Sequence, residues 1–152
     1  ESILKHIEDF LGKRGNSWTE TSSLPGGEMK VSMLSDFEKK LQTKYHFLSH
    51  KIIKRLARSY GKTSFDIFGD AENLESLGED FGAGLYEIEV KHLLEKEWAR
   101  SAEDILFRRS KLGLIMPEMG LKKLNLFLEA YHADIHISPK GKSLKMQKVR
   151  PA

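Results

Sequence analysis

The sequence predicts an all-α fold, a compact bundle of about five to seven orthogonally packed helices followed by a disordered basic tail. Three observations lead to it. Apolar side chains recur at the three- and four-residue spacing that lines one face of a helix. Ser, Asp, Gly and Pro stand where helices start and stop. Between residues 30 and 135 no run alternates as a half-buried strand does, and no repeat or linker interrupts the pattern.

Taken in order, Ser2 is placed to cap a short helix lined by Ile3, Ile7, Phe10 and Leu11 and stopped by Gly12. Leu24-Pro25-Gly26-Gly27 is turn chemistry. Ser35 opens a second helix, with Asp36 and Glu38 in its first turn and Phe37, Leu41 and Tyr45 toward the core. Ser49 opens a third, spanning 49–60. Its Ile52, Ile53, Leu56, Ala57 and Tyr60 face inward, Lys51, Lys54, Arg55 and Arg58 form a basic outer stripe, and Gly61 ends it. Thr63 or Ser64 begins a short helix through Phe65, Ile67 and Phe68, closed by Gly69.

Residues 85–114 carry the longest helical pattern, two helices meeting at a corner. Tyr86, Val90, Leu93, Leu94 and Trp98 share the apolar face of the first. Ser101 followed by Asp104 is a capping-box variant that starts the second, whose stripe is Ala102, Ile105, Leu106 and Leu112 and whose stop is Gly113. Pro117 suits the first position of a last helix, in which Leu121, Leu124, Phe127, Leu128 and Tyr131 mark the core side as far as about His132.

Two charges break the apolar faces of the corner: Glu97 in the middle of one and Arg109 along the centre of the other. A buried ion needs a partner, and removing one member of a buried pair costs about 3–5 kcal/mol. Glu97 and Arg109 are therefore expected to form a structural ion pair across the corner, with Glu89 a second acceptor at the edge of the same face. Asp104 and Arg108, four residues apart on the outside, contribute about 0.3–0.5 kcal/mol.

A chain of 152 residues is enough for one domain with one core. No apolar run approaches the roughly 20 residues that cross a bilayer, and the opening residues lack a signal-peptide pattern. The chain itself is thus expected to be soluble, without membrane insertion. The absence of cysteine excludes disulfides and thiolate metal sites and fits a reducing compartment. The net charge of +3 is misleading, because Lys140, Lys142, Lys145, Lys148 and Arg150 follow Ser138 with no acid among them. Subtracting those five leaves −2 for residues 1–138, which removes most of a whole-domain argument for nucleic acid.

Few residues of the chain are spaced for chemistry. His132 and His136, four apart, could share a metal, but a third ligand and an adjacent general base are missing. His46 and His50 have the same spacing, broken by Ser49. His92 reads as a boundary residue. The acidic loop holding Asp70, Glu72, Glu75, Glu79 and Asp80 lacks the ligand order of a calcium loop. No nucleophile elbow, phosphate-binding loop or dinucleotide fingerprint occurs, so neither catalytic, cofactor-binding nor metal-binding residues are assigned.

The string from Leu77 to Leu114 resembles the C-terminal helical domain of FAD-dependent glycerol-3-phosphate dehydrogenases. The resemblance rests on Gly78, Asp80, Phe81, Gly82, Tyr86, Glu89, Glu97-Trp98, Ala102-Glu103-Asp104, Arg108-Arg109 and Lys111-Leu112-Gly113. Upstream, Trp18-Thr19, Leu24-Pro25-Gly26-Gly27 and Tyr60-Gly61 extend it to roughly residues 16–131. Phe107 departs from it, standing where the family's usual residue is Trp. The resemblance implies that residues 1–27 are a connector from a flavin domain, 28–137 the helical C-terminal domain and 138–152 a disordered tail. It further implies a parent enzyme that oxidises sn-glycerol 3-phosphate to dihydroxyacetone phosphate with FAD and passes electrons to quinone, cytoplasmic and peripheral on the inner membrane. This fragment would then be a non-catalytic cap whose partner is the flavin domain, with homo-oligomerisation open. The competing reading is a free-standing helical interaction or nucleic-acid module that works through the basic helix 49–60.

Overall fold

A computed structural model describes residues 2–12, 15–16, 19–24, 26 and 28–137. The tail 138–152 and the motif residues Trp18, Pro25 and Gly27 lie outside the described residues. Among the described residues the fold is all-α apart from one small hairpin, and the chain divides into two compact units, Glu1–Leu77 and Gly78–Ala152. Sequence patterning carries no boundary signal at that division.

In the first unit, α1 spans Ser2–Leu11 and ends at Gly12, where φ is +72°. Its Ile3, Phe10 and Leu11 are exposed. A 3-10 turn, Val31–Met33, leads into α2, Leu34–Lys44, followed by α3, His50–Tyr60, and α4, Thr63–Phe68. Ser49 caps α3 by accepting the Ile52 N–H at 3.4 Å, and Gly61 and Gly69 close α3 and α4 with positive φ, as the sequence predicts. Phe37 and Leu41 of α2 are buried, as are Ile53, Leu56, Ala57 and Tyr60 of α3. Phe37 meets Phe65 edge-on at 5.6 Å, and Tyr45 lies 5.6 Å from Phe68 while donating its hydroxyl to Gly69 O at 2.8 Å. Burial raises the Tyr45 pKa above its ordinary value, the main effect on that group.

The second unit opens with a hairpin that the sequence reading missed. β1, Asp80–Gly82, pairs antiparallel with β2, Leu85–Tyr86. Its tight turn holds Ala83 at φ +53° and Gly84 at φ +76°, and Gly82 N donates to the Asp80 carboxylate at 2.7 Å. Strands this short leave no room for alternation to show. α5, Glu87–Lys96, follows, with a π-helical turn at Asp104–Arg109, a 3-10 turn at Leu112–Leu114 and α6 at Glu118–Ile137.

Three boundaries differ from expectation. α5 stops at Lys96 instead of running through Trp98. The predicted second helix of the corner widens into a π turn, with Ser110 N donating to Ile105 O at 2.9 Å, and Lys111 at φ +60° ends it before Gly113. α6 runs five residues past His132 to Ile137.

α6 packs on β1 because residue 120 is glycine. A Cβ there would collide with the Phe81 carbonyl, and it would lie 2.8 Å from the Met116 sulfur. With that contact made, Phe81 meets Phe127 at 5.4 Å and Lys123 reaches Asp80 O at 3.4 Å. Gly113 has a similar role under the Phe107 ring, which occupies the space a side chain would take.

Candidate functional site

The corner between α5 and the π turn gathers the charged residues singled out in the sequence, and it is built from backbone caps. Leu93 O accepts from both Glu97 N at 3.2 Å and Ala99 N at 3.0 Å. Closing that loop forces Trp98 into the left-handed region at φ +59°, a conformation that favours glycine and costs other residues about 1–2 kcal/mol. The indole is consequently thrown outward and is 86 % exposed. This corrects the expectation that Trp98 extends the buried face of α5.

The Asp104 carboxylate organises the other side. It accepts from Arg100 N at 3.1 Å, Ser101 N at 3.2 Å and Ser101 Oγ at 3.0 Å, while Asp104 N donates to Ser101 Oγ at 3.2 Å. The predicted capping box is therefore formed in both directions. The Arg108 guanidinium pairs with Asp104 and reaches Glu103 at 2.9 Å. The Arg100 backbone N–H first, then Arg108 and Ser101, hold the Asp104 pKa down to about 2.

Glu97 and Arg109 do come together, but at the rim. Arg109 Nε donates to the Glu97 carbonyl at 3.0 Å and lies 3.8 Å from its carboxylate, and each side chain is 36 % exposed. The expected burial is corrected: once α5 ends at Lys96, Glu97 is a capping residue and no longer sits on the helix's inner face. His92, 17 % exposed, places Nε2 3.6 Å from the other Glu97 oxygen, so Glu97 lies between an imidazole and a guanidinium. The buried acid is Glu89, with no exposed surface. It sits in the first turn of α5, about two turns before the end that frees Glu97.

Of the remaining sequence candidates, His132 reaches the corner loop. On α3, Lys51, Lys54 and Arg58 are exposed as predicted and Arg55 is half-buried. His132 donates its Nε2 to Arg100 O at 3.0 Å, which ties α6 to the corner loop. The His136 side chain is outside the described residues. Asp70 pairs with Lys44 at 3.2 Å and Glu79 lies 3.9 Å from Lys123. Among the described residues no group of three or more His, Asp or Glu could hold a metal, and no helix is long and apolar enough to cross a membrane.

The exposed left-handed Trp98 was missed by sequence reasoning. A signal was present: a cap at Ser101 needs extended residues before it, so the preceding helix has to end several residues earlier.

Helices joined by capped turns, with one short hairpin, define a helical domain in which polar side chains secure turns. The chain belongs to the family described as the C-terminal domain of alpha-glycerophosphate oxidase, whose model matches residues 17–140. It is 38% identical over 132 residues to the glycerol-3-phosphate dehydrogenase of Pseudomonas aeruginosa, covering 87% of this chain and 26% of that protein. The aerobic glycerol-3-phosphate dehydrogenase of Escherichia coli is 38% identical over 131 residues, 86% of this chain and 26% of that protein. The D-erythritol 1-phosphate dehydrogenase of Brucella abortus is 38% identical over 115 residues, 76% of this chain and 22% of that protein. The chain thus spans about a quarter of the length of the curated relatives it matches. FAD, which the resemblance implies for a parent enzyme, does not fit the described residues. A dinucleotide is held by a parallel βαβ unit with a glycine-rich turn, whereas the sheet here is a two-stranded antiparallel hairpin.

Proposed function

We propose that this chain is the helical C-terminal domain of an FAD-dependent sn-glycerol-3-phosphate dehydrogenase, and that its own role is to cap and secure the flavin-bearing part of the longer protein. The parent oxidises the secondary alcohol to dihydroxyacetone phosphate and passes the electrons to quinone. It works in the cytoplasm, peripheral on the inner membrane. The observation that supports this most is the 38% identity to the Pseudomonas aeruginosa enzyme maintained over 87% of the chain. The equal identity to the Brucella abortus protein favours a second substrate, D-erythritol 1-phosphate, a longer polyol phosphate. The competing nucleic-acid reading has only the three exposed cations of α3 behind it, and solvated cations are the ordinary state of such a helix face.

The test is oxidation of each polyol phosphate by the full-length protein with a dye as electron acceptor. Turnover of sn-glycerol 3-phosphate well above that of D-erythritol 1-phosphate is expected. The reverse preference would move the substrate, and no turnover of either would overturn the reading. The 152-residue chain alone should retain no flavin on gel filtration, and a stoichiometric yellow complex would contradict the non-catalytic role.

A further inference from the structure

The corner loop fastens almost every backbone group it has, and what it holds up is an exposed indole. Glu97 O accepts from Arg109, Ala99 N returns to Leu93 O, Arg100 N and Ser101 N reach Asp104, and Arg100 O receives His132. Ala99 is buried beneath the loop. Between these fixed points Trp98 keeps a left-handed backbone that glycine would adopt freely, with its ring in solvent. Neither local packing nor helix capping requires tryptophan there. Lys96 and Arg100 flank it, both exposed and neither paired with an acid among the described residues.

We infer that Trp98 is a docking anchor for the flavin-bearing part of the same longer chain, entering an apolar pocket with an acidic rim that meets Lys96 and Arg100. The inference rests on the proposed function, since it takes its partner from there. Three arguments select that occupant. Relatives extend to about four times the matched length, so such a partner is tethered and present at millimolar effective concentration. A backbone fixed before docking suits a shaped pocket, where preorganisation lowers the entropy lost on binding. A second copy is disfavoured, because a two-fold contact centred on Trp98 would bring each Lys96 and Arg100 against its own equivalents. Tryptophan and arginine are also the side chains most enriched among residues that dominate interface energies.

Hydroxyl-radical footprinting read by mass spectrometry follows Trp98 individually, whatever other tryptophans the longer protein contains. In the flavin-loaded full-length protein Trp98 should oxidise at least about ten-fold more slowly than in the 152-residue chain. Equal rates would overturn the inference. So would protection that appears only with phosphatidylglycerol vesicles, which would make the partner a membrane, or protection of the 152-residue chain that rises with its own concentration, which would make it a second copy. Trp98→Gly supplies the second arm. It should leave the melting temperature of the 152-residue chain unchanged or higher, yet speed amide exchange at residues 97–101 at least about ten-fold in the full-length protein. An unchanged exchange pattern in that variant would also overturn the anchor. Absence of polyol-phosphate oxidation with Trp98 still protected would sink the functional reading and leave the anchor standing.

Discussion

The second unit has two junctions, and they are held by opposite means. Where α6 meets β1, two backbones approach so closely that glycine is the residue that fits, and Phe81 and Phe127 pack beside the contact. Where α5 turns into the π turn, the chain is secured by carboxylate, hydroxyl and guanidinium groups distributed over Glu97, Ser101, Asp104 and Arg109. A packed junction concentrates its stability in a few atoms with nowhere to move. A capped junction spreads it over hydrogen bonds that water can partly replace. The first should fail at once when altered, and the second should weaken by degrees.

Gly120→Val attacks the packed junction and should have the largest effect. Its branched side chain meets the Phe81 backbone, which cannot rotate away as a flexible side chain could. We expect a loss of about 3 kcal/mol or more in chemical denaturation, the upper part of the range for overpacking. A loss below about 1 kcal/mol would show that the two backbones separate easily. Next comes the contrast between the two acids of α5. Glu89→Ala removes a fully buried acid from the interaction it makes and should cost about 1–3 kcal/mol, whereas Glu97→Ala should cost less. Equal losses from the two would erase the distinction between the buried first turn of α5 and its half-exposed C-terminal end.

Several helix starts and stops were legible, those that depend on neighbouring residues in the chain. Ser49, Gly61, Gly69 and the Ser101–Asp104 box act where the sequence placed them. The inward face of α3 was legible for the same reason, since periodicity is a local property. Glu97 and Trp98 were misplaced by one assumption, that α5 continues through them. A helix's last residues are decided by competition between another turn and the cap of the next segment, and here the cap at Ser101 prevails. The hairpin at 80–86 could not be read from pattern, because its strands are only three and two residues long, and its reason to exist is the packing of Phe81 against a distant α6. That contact joins Phe81 to Phe127, 46 positions further on, which no local pattern reports.

Arg109→Met sharpens the comparison from the capped side. It removes a hydrogen bond to the Glu97 carbonyl and an ion pair near its distance limit, with both side chains about one-third exposed. Solvent screening at that exposure holds the expected loss below about 1 kcal/mol. A loss of about 3 kcal/mol would return the pair to the buried class and make the corner as brittle as the junction at Gly120.

Asp104 tests the capped side through pH, because its contribution is lost on acidification. Its folded pKa of about 2 lies below the ordinary 3.8 because Arg100 N–H, Arg108 and Ser101 favour the charged form. A depressed folded pKa means that its contribution is fully present above the unfolded value near 3.8 and is lost as pH falls through about 2. Glu87, lowered chiefly by its hydrogen bond with Lys91, acts in the same direction from the start of α5. The melting temperature should therefore fall between about pH 4 and pH 2, and Asp104→Asn should flatten part of that fall while leaving the Glu87 share. Titration of the Asp104 carboxyl by NMR checks the assignment directly: a midpoint near 3.8 would mean that the capping box is open in solution, and the corner would then lack the fixed geometry that sets it apart from a flexible loop.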